Sequence, residues 1–324
     1  MKTLKRILAA TTLLVTLGFA SEANAQVPLE NFFKNPEKAG YQISPDGKYF
    51  SYMAPYENRL NLFVQEVGSD KATRITSETV RDLAGSMWAN GHRILYIKDT
   101  AGDENFQLYG VNVDGTDSKA YTAFPKVRTT IIDPLENIDS LVIIGLNKRN
   151  PQVFDPYRLN LNNGELTQLA ENPGNIQGWM TDHNGKLRVA LAIVDGVNTQ
   201  ILYRETEEQP FRPVLTTNFR ETVSFATFTP DNKMVYALTN IGRDKTALVL
   251  MDPATCEEKE VLYTNDKYDI SGLGYSELKK KLISVSCTGH KGTIRHYFDK
   301  NEEAIRTKLE QKLEGYDINT NQRR

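Results

Sequence analysis

The chain has 324 residues, 40% of them apolar and 25% charged, with a formal net charge of −2. That length can bury one large core or two small ones. The balanced charge offers no electrostatic case for a nucleic-acid partner or an anionic membrane surface. Two cysteines, Cys256 and Cys287, are too few to build a zinc site.

The first 25 residues read as a secretory signal peptide. Lys2, Lys5 and Arg6 precede an uncharged, mostly apolar run from Ile7 to Ala20, and Ala23-Asn24-Ala25 has the small-x-small form of a cleavage site. The apolar run is short for a membrane span, and no later segment is long enough for one. Cleavage after Ala25 predicts an exported protein, periplasmic or secreted. It leaves 299 residues with 36 basic and 40 acidic side chains, a net charge of −4.

From residue 26 onward one unit recurs. ISPDGKYFSYM, from Ile43, is a Pro-Asp-Gly turn followed by an aromatic-rich strand. Comparable starts fall near residues 87 (MWANGHRILYI), 132 (IDPLENIDSLVII), 180 (MTDHNGKLRVALAI), 228 (FTPDNKMVYAL) and 274 (GYSELKKKLISVS). The spacing is 44 to 48 residues. Each start is followed by further short alternating strands, such as LNLFVQEV and then ATRIT in the first unit. Connections this short leave no room for crossover helices, so the sheets are antiparallel. About six four-stranded antiparallel units of nearly equal length predict an all-β fold, a β-propeller occupying residues 26–324. Late in the chain, DKNEEAIRTKLEQKLEG spaces Ile305, Leu309 and Leu313 at i, i+4 and i+8. This predicts a helix near 299–314, with Asp299 and Glu302 as a capping box and Gly315 as its stop. The helix falls where the sixth unit should turn toward its outer strand.

The longer match is VPLENFFKNPEKAGYQISPDGKYFSYMAPYENRLNLFV, with ITSETVRD, GDENFQLY, GLNKRNPQVFDPYRLN, LAENPGNIQGWMTDHNGKLRVA, ILYRETEEQPF, NIGRDKTALV and HYFDKNEEAI. Together these resemble the N-terminal propeller of bacterial prolyl-oligopeptidase-family serine peptidases, of the dipeptidyl aminopeptidase and acylaminoacyl peptidase types. The resemblance runs from Val27 to about Tyr316. It implies a propeller of seven or eight blades that acts as a size filter, admitting short peptides to a C-terminal α/β-hydrolase domain carrying a serine triad. This chain departs from the family there: it contains no G-x-S-x-G, and GLGYSEL at Gly272–Leu278 lacks the closing glycine. The expectation is therefore an incomplete, seven-bladed-type propeller, truncated at its C-terminus. It is non-catalytic alone, takes no cofactor or metal, and has a hydrolase domain and short peptides as partners. The alternative is a stand-alone periplasmic propeller that binds peptides or proteins.

Candidate residues lie in the second-to-third-strand loops, which share one face of a propeller. They are Arg59 in the first unit, Asp103 and Glu104 in the second, Arg149 in the third, and Arg243 and Lys245 in the fifth. Arginine can clamp a carboxylate with two bonds, which suits docking of a domain or guidance of a peptide. Blade-bracing ion pairs are the structural alternative. Glu207-Glu208 lies on the opposite face, and it and Asp103-Glu104 read as solvated turn charges. His92 and His183 read as solvent-facing turn residues, and His290 and His296 have no carboxylate at metal-ligand spacing. Trp88 and Trp179 read as packing between units. Cys256 and Cys287 map toward opposite faces, too far apart for a disulfide.

Overall fold

The structure, a computed structural model, describes residues 27–316 and 318; the expected signal peptide, residues 1–25, lies outside them. In the segment ending at Glu37, α1 (Glu30–Phe33) is one helical turn. The segment from Lys38 onward is the six-unit array that the repeat predicts.

Six antiparallel sheets follow one another along the chain, each a meander with its strands in sequence order. Blade 1 holds β1 (Ala39–Ile43), β2 (Tyr49–Tyr56), β3 (Arg59–Glu66) and β4 (Ala72–Arg74). Blade 2 holds β5 (Gly85–Asn90), β6 (Arg93–Lys98), β7 (Gln107–Asn112) and β8 (Lys119–Ala120). Blade 3 holds β9 (Thr129–Asp133), β10 (Leu141–Asn150), β11 (Val153–Asn160) and β12 (Leu166–Gln168). Blade 4 holds β13 (Ile176–Thr181), β14 (Leu187–Val194), β15 (Asn198–Tyr203) and β16 (Arg212–Thr217). Blade 5 holds β17 (Val223–Phe228), β18 (Val235–Thr239), β19 (Ala247–Met251) and β20 (Glu258–Tyr263). Blade 6 has three strands, β21 (Ile270–Ser276), β22 (Lys281–Gly289) and β23 (Gly292–Tyr297), and then α2 (Lys300–Lys312). Within each blade the strands are called a to d in order.

The core lies between successive blades. Leu62, Val64, Trp88, Ile94 and Val111 fill the space between blades 1 and 2. Leu95, Leu108, Val142, Ile144 and Leu159 do the same between blades 2 and 3. Val189, Ile201, Phe228, Val235 and Val249 join blades 4 and 5, and Leu248, Ile270, Val285 and Cys287 join blades 5 and 6. A four-stranded sheet alone would expose these faces, and stacking removes them from water at about 25 cal/mol per Å². Trp88 packs between blades as expected. Trp179 is partly exposed, rests on Phe211 of its own blade with ring centroids 5.6 Å apart, and lines a cavity together with Ile132 of blade 3 and Phe225 of blade 5.

Turn chemistry sets the blade ends. The β2–β3 hairpin pairs without a shift from Tyr49↔Glu66 to Tyr56↔Arg59, because Glu57 and Asn58 both take positive φ, at 48° and 63°. Two left-handed residues in a two-residue loop match the right-handed twist of the strands they join. All six a–b pairs carry a register shift. Such bulges raise local twist and re-aim side chains. In α2, Asp299 accepts a bond from the Asn301 N–H at 2.9 Å, so the expected N-terminal cap holds; Glu302 pairs with Lys279 instead of completing a capping box, and the helix is capped at Leu313, two residues before Gly315 at φ 85°. Among the described residues blade 6 has no fourth strand, and the helix follows β23 instead. Both cysteines are free thiols, and burial pushes that of Cys256 up to about 11.

Candidate axial site

In a propeller the a strand is innermost, so each a–b turn starts at the rim of the central axis. Four of these turns meet. The blade 3 turn, residues 134–140, follows β9 and presents Asn137. The blade 4 turn, residues 182–186, presents His183. Asn232 belongs to the blade 5 turn and Glu277 to the blade 6 turn.

Glu277 is the hub. Its Oε2 accepts a bond from Asn137 Nδ2 at 3.0 Å and lies 3.2 Å from His183 Nδ1. The other ring nitrogen, Nε2, is 2.9 Å from the Phe228 carbonyl oxygen, and the His183 backbone N–H donates to Asn232 Oδ1 at 3.0 Å. The imidazole stacks on Tyr275 with centroids 5.5 Å apart. Its side chain is only 16% exposed. The bond to Glu277 raises the His183 pKa; burial opposes this, and the Phe228 carbonyl adds to the rise. The Tyr275 hydroxyl is buried without a hydrogen-bond partner, and burial, with Glu277 nearby, pushes it up to about 12. Thr181 donates its hydroxyl proton to Asp133, tying β13 to β9. Asp182 accepts from the N–H groups of Asn184 and Lys186, both at 3.0 Å, and from Arg188 at 3.1 Å, which holds the turn rigid.

Two cavities adjoin the hub and share Glu136 and Tyr275. One, of about 350 Å³, is lined by Asp133, Asn137, Thr181, His183, Thr227 and Glu277. The other, of about 440 Å³, is lined by Gly274, Ser284, Arg295 and Arg306 among others. Their walls are mostly polar, with carboxylates on the first and two arginines on the second. Among the described residues no group of three or more His, Cys, Asp or Glu is placed to hold a metal. No helix among them is long and apolar enough to cross a membrane.

The six residues singled out from the sequence lie elsewhere. Arg59 begins β3. Asp103 is exposed and closes a local turn, accepting from the N–H groups of Thr100 and Asn105; the Asn105 side-chain amide holds its carboxyl below the usual range. Glu104 is exposed at φ 56°. Arg149 makes two 2.9 Å bonds to the buried Asp155 and a third to the Asn172 carbonyl. Arg243 bonds both oxygens of Glu258 within blade 5, and Lys245 pairs with its neighbour Asp244 at 3.1 Å. The loops share a face, but the structure brings none of these six together.

Two sequence readings are corrected. His183 does not face solvent, because its turn is packed under the turns of blades 5 and 6. Glu207 is not a solvated turn charge: it bonds Arg158 of blade 3 at 2.6 Å and accepts from the Leu187 N–H at 3.0 Å. Burial alone would raise its pKa, but that N–H and the Arg158 guanidinium outweigh it and hold the carboxyl low. Glu208 stays exposed. A signal for the hub was present in the repeat itself. His183 and Glu277 occupy the same a–b turn of different units, and equal phase in a radial repeat means equal height on the axis.

No family model matches the chain. It is 30% identical over 303 residues to dipeptidyl aminopeptidase BIII of Pseudoxanthomonas mexicana, covering 90% of this chain and 42% of that protein. It is 26% identical over 299 residues to dipeptidyl peptidase family member 6 of Caenorhabditis elegans, covering 86% and 40%. The chain thus spans about two fifths of the length of these curated relatives. A prolyl endopeptidase structure superposes with a TM-score of 0.56 at 12% identity, over 86% of this chain and 44% of that one, which bears on the fold alone. With six sequential antiparallel blades and this match along nine tenths of its length, the chain belongs to the propeller part of the prolyl-oligopeptidase family of serine peptidases.

Proposed function

We propose that this chain is the substrate-gating propeller of an exported serine oligopeptidase. It is non-catalytic itself and works with a catalytic α/β-hydrolase domain on short peptides. The observation that carries the reading is the meeting of a–b turns from blades 3, 4 and 6 at Glu277, with the blade 5 turn bonded to His183. The Asn137–Glu277 bond joins turns that are three blades apart along the chain. A bond between these turns sets side chains across the axial end of that face, which suits a gate. The polar cavities beside it suit the backbone and charged ends of a short peptide. The names of the relatives supply the reaction, removal of dipeptides from peptides. No strand-to-helix nucleophile turn lies among the described residues, so the acyl-transfer chemistry belongs to the partner domain.

The test has two arms. The chain alone is offered chromogenic dipeptide substrates, with no turnover expected. It is then titrated into a separately produced hydrolase domain of a dipeptidyl aminopeptidase relative, with peptides of increasing length as substrates. Association, with turnover shifted toward short peptides, supports gating. Turnover with unchanged length preference overturns it. Peptide binding without association of the hydrolase domain transfers the reading to a stand-alone peptide-binding propeller.

A further inference from the structure

We infer that His183 is a doubly protonated imidazolium that clasps blades 4, 5 and 6 across the axis, and that losing its proton releases the clasp. The argument rests on what each ring nitrogen faces. Nε2 points at the Phe228 carbonyl oxygen at 2.9 Å, and a carbonyl can only accept, so Nε2 carries hydrogen. Nδ1 lies 3.2 Å from the Glu277 carboxylate, which when ionised also only accepts. A neutral imidazole has one N–H and satisfies one of these contacts, whichever tautomer it adopts. Both are met at once by the cation, whose bond to Glu277 is then charge-assisted.

The surroundings agree. From the blade 6 side the ring faces Glu277 and the neutral Tyr275. Asp182 of its own turn is already committed to Arg188. Asp231, in the blade 5 turn beside Asn232, is exposed and engaged by Thr229. Asp133 and Glu136 approach from blade 3 along the shared cavity wall. No lysine or arginine lines this cavity, so every charged group on its wall other than His183 is anionic. The pKa of His183 is raised, in the sense this requires.

Release has a defined consequence. Deprotonation forces one nitrogen to face an acceptor without hydrogen, so either the Phe228 contact or the Glu277 contact is lost. Where the Glu277 contact is lost, blade 6 keeps its bond from Asn137 of blade 3; where the Phe228 contact is lost, blade 5 keeps the bond from the His183 N–H to Asn232. The clasp is closed below the raised pKa of His183 and open above it. It operates without a peptide or a hydrolase domain, so it stands or falls separately from the gating role.

The experiment is side-chain ¹⁵N NMR of the four histidines in the full chain, titrated over pH, with His183→Gln used to assign the resonance. A His183 signal with both nitrogens protonated, and a midpoint above the ordinary value of about 6.5, is the expected result. Melting temperature followed over the same pH range should fall through that midpoint in the wild type, and the step should be absent in His183→Gln. Glu277→Gln, which keeps the shape but not the charge, should move the midpoint down. A neutral His183 below pH 6.5 overturns the inference, as does a step in melting temperature that survives in His183→Gln. Should His183→Gln fail to fold, the shift in Glu277→Gln decides.

Discussion

The two faces of the propeller use charge in different ways. On the b–c face, charged side chains serve the blade they belong to: Arg149 with Asp155, Arg243 with Glu258, Lys245 with Asp244. On the a–b face, pairs within a blade, such as Arg188 with Asp182, are joined by bonds that cross between blades: His183 to Glu277, Asn137 to Glu277, Arg158 to Glu207. The reason is radial geometry. The b–c loops begin farther from the axis and find partners nearby in the chain. The a–b turns leave the innermost strands, where different blades are close enough to bond. A charged loop residue is thus a better clue to intra-blade bracing than to a site, unless it sits in a turn that reaches the axis.

Substitutions can break or sharpen this contrast. The largest effect expected is from Asp155→Ala. Asp155 is fully buried, accepts two bonds from Arg149 and one from the Asn172 N–H, and losing it leaves these donors without their acceptor. A loss of about 2–3 kcal/mol in urea unfolding is expected, while the pH dependence set by His183 stays unchanged.

His183→Gln comes next, and its effect depends on pH. The folded pKa of His183 is raised, so its stabilisation is complete below the unfolded value of about 6.5 and disappears as pH rises through the folded value. The variant is expected to lose about 1–2 kcal/mol at pH 5.5 and less at a pH above the folded midpoint, measured by denaturant unfolding at both. An equal loss at both pH values would mean the axial bonds are no more charge-dependent than ordinary hydrogen bonds.

Arg243→Ala removes a partly exposed pair confined to blade 5, and a loss of about 0.5–1 kcal/mol is expected. If Arg243 also docks a hydrolase domain, association with that domain weakens as well. Unchanged association and stability together discard the docking role. Lys245→Ala is the smallest: its partner is the neighbouring, largely exposed Asp244, and no measurable change in melting temperature is expected.

Much of the fold is legible in the chain. The a–b turns recur at a near-constant interval, and every one falls at the end of an inner strand. The b and c strands are visible as apolar runs bounded by turn residues, such as RILYIK, LRVALAIV and ALVLM. The d strands are less visible: β8 is only Lys119–Ala120, too short to carry a period, and it exists because β7 offers it an edge. α2 is visible through its spacing and cap. The charged loops were equally visible, but visibility was no guide to their role, because loop composition says nothing about which blade a side chain meets.

The sequence by itself determined the blade repeat, the antiparallel meander, the late helix and the family. The first three follow from local chemistry, namely turn residues that permit positive φ, short apolar strands between them and a side-chain cap, whereas the family rests on the longer sequence match. Only the tertiary structure decided which turns touch. His183, Asn137 and Glu277 are separated by up to 140 residues and share only their place in the a–b turn of their units, which does not say which turns bond. What unites them is that blades stacked around an axis bring the ends of their inner strands to one point. There, burial and a shared carboxylate turn an ordinary turn histidine into a link between blades.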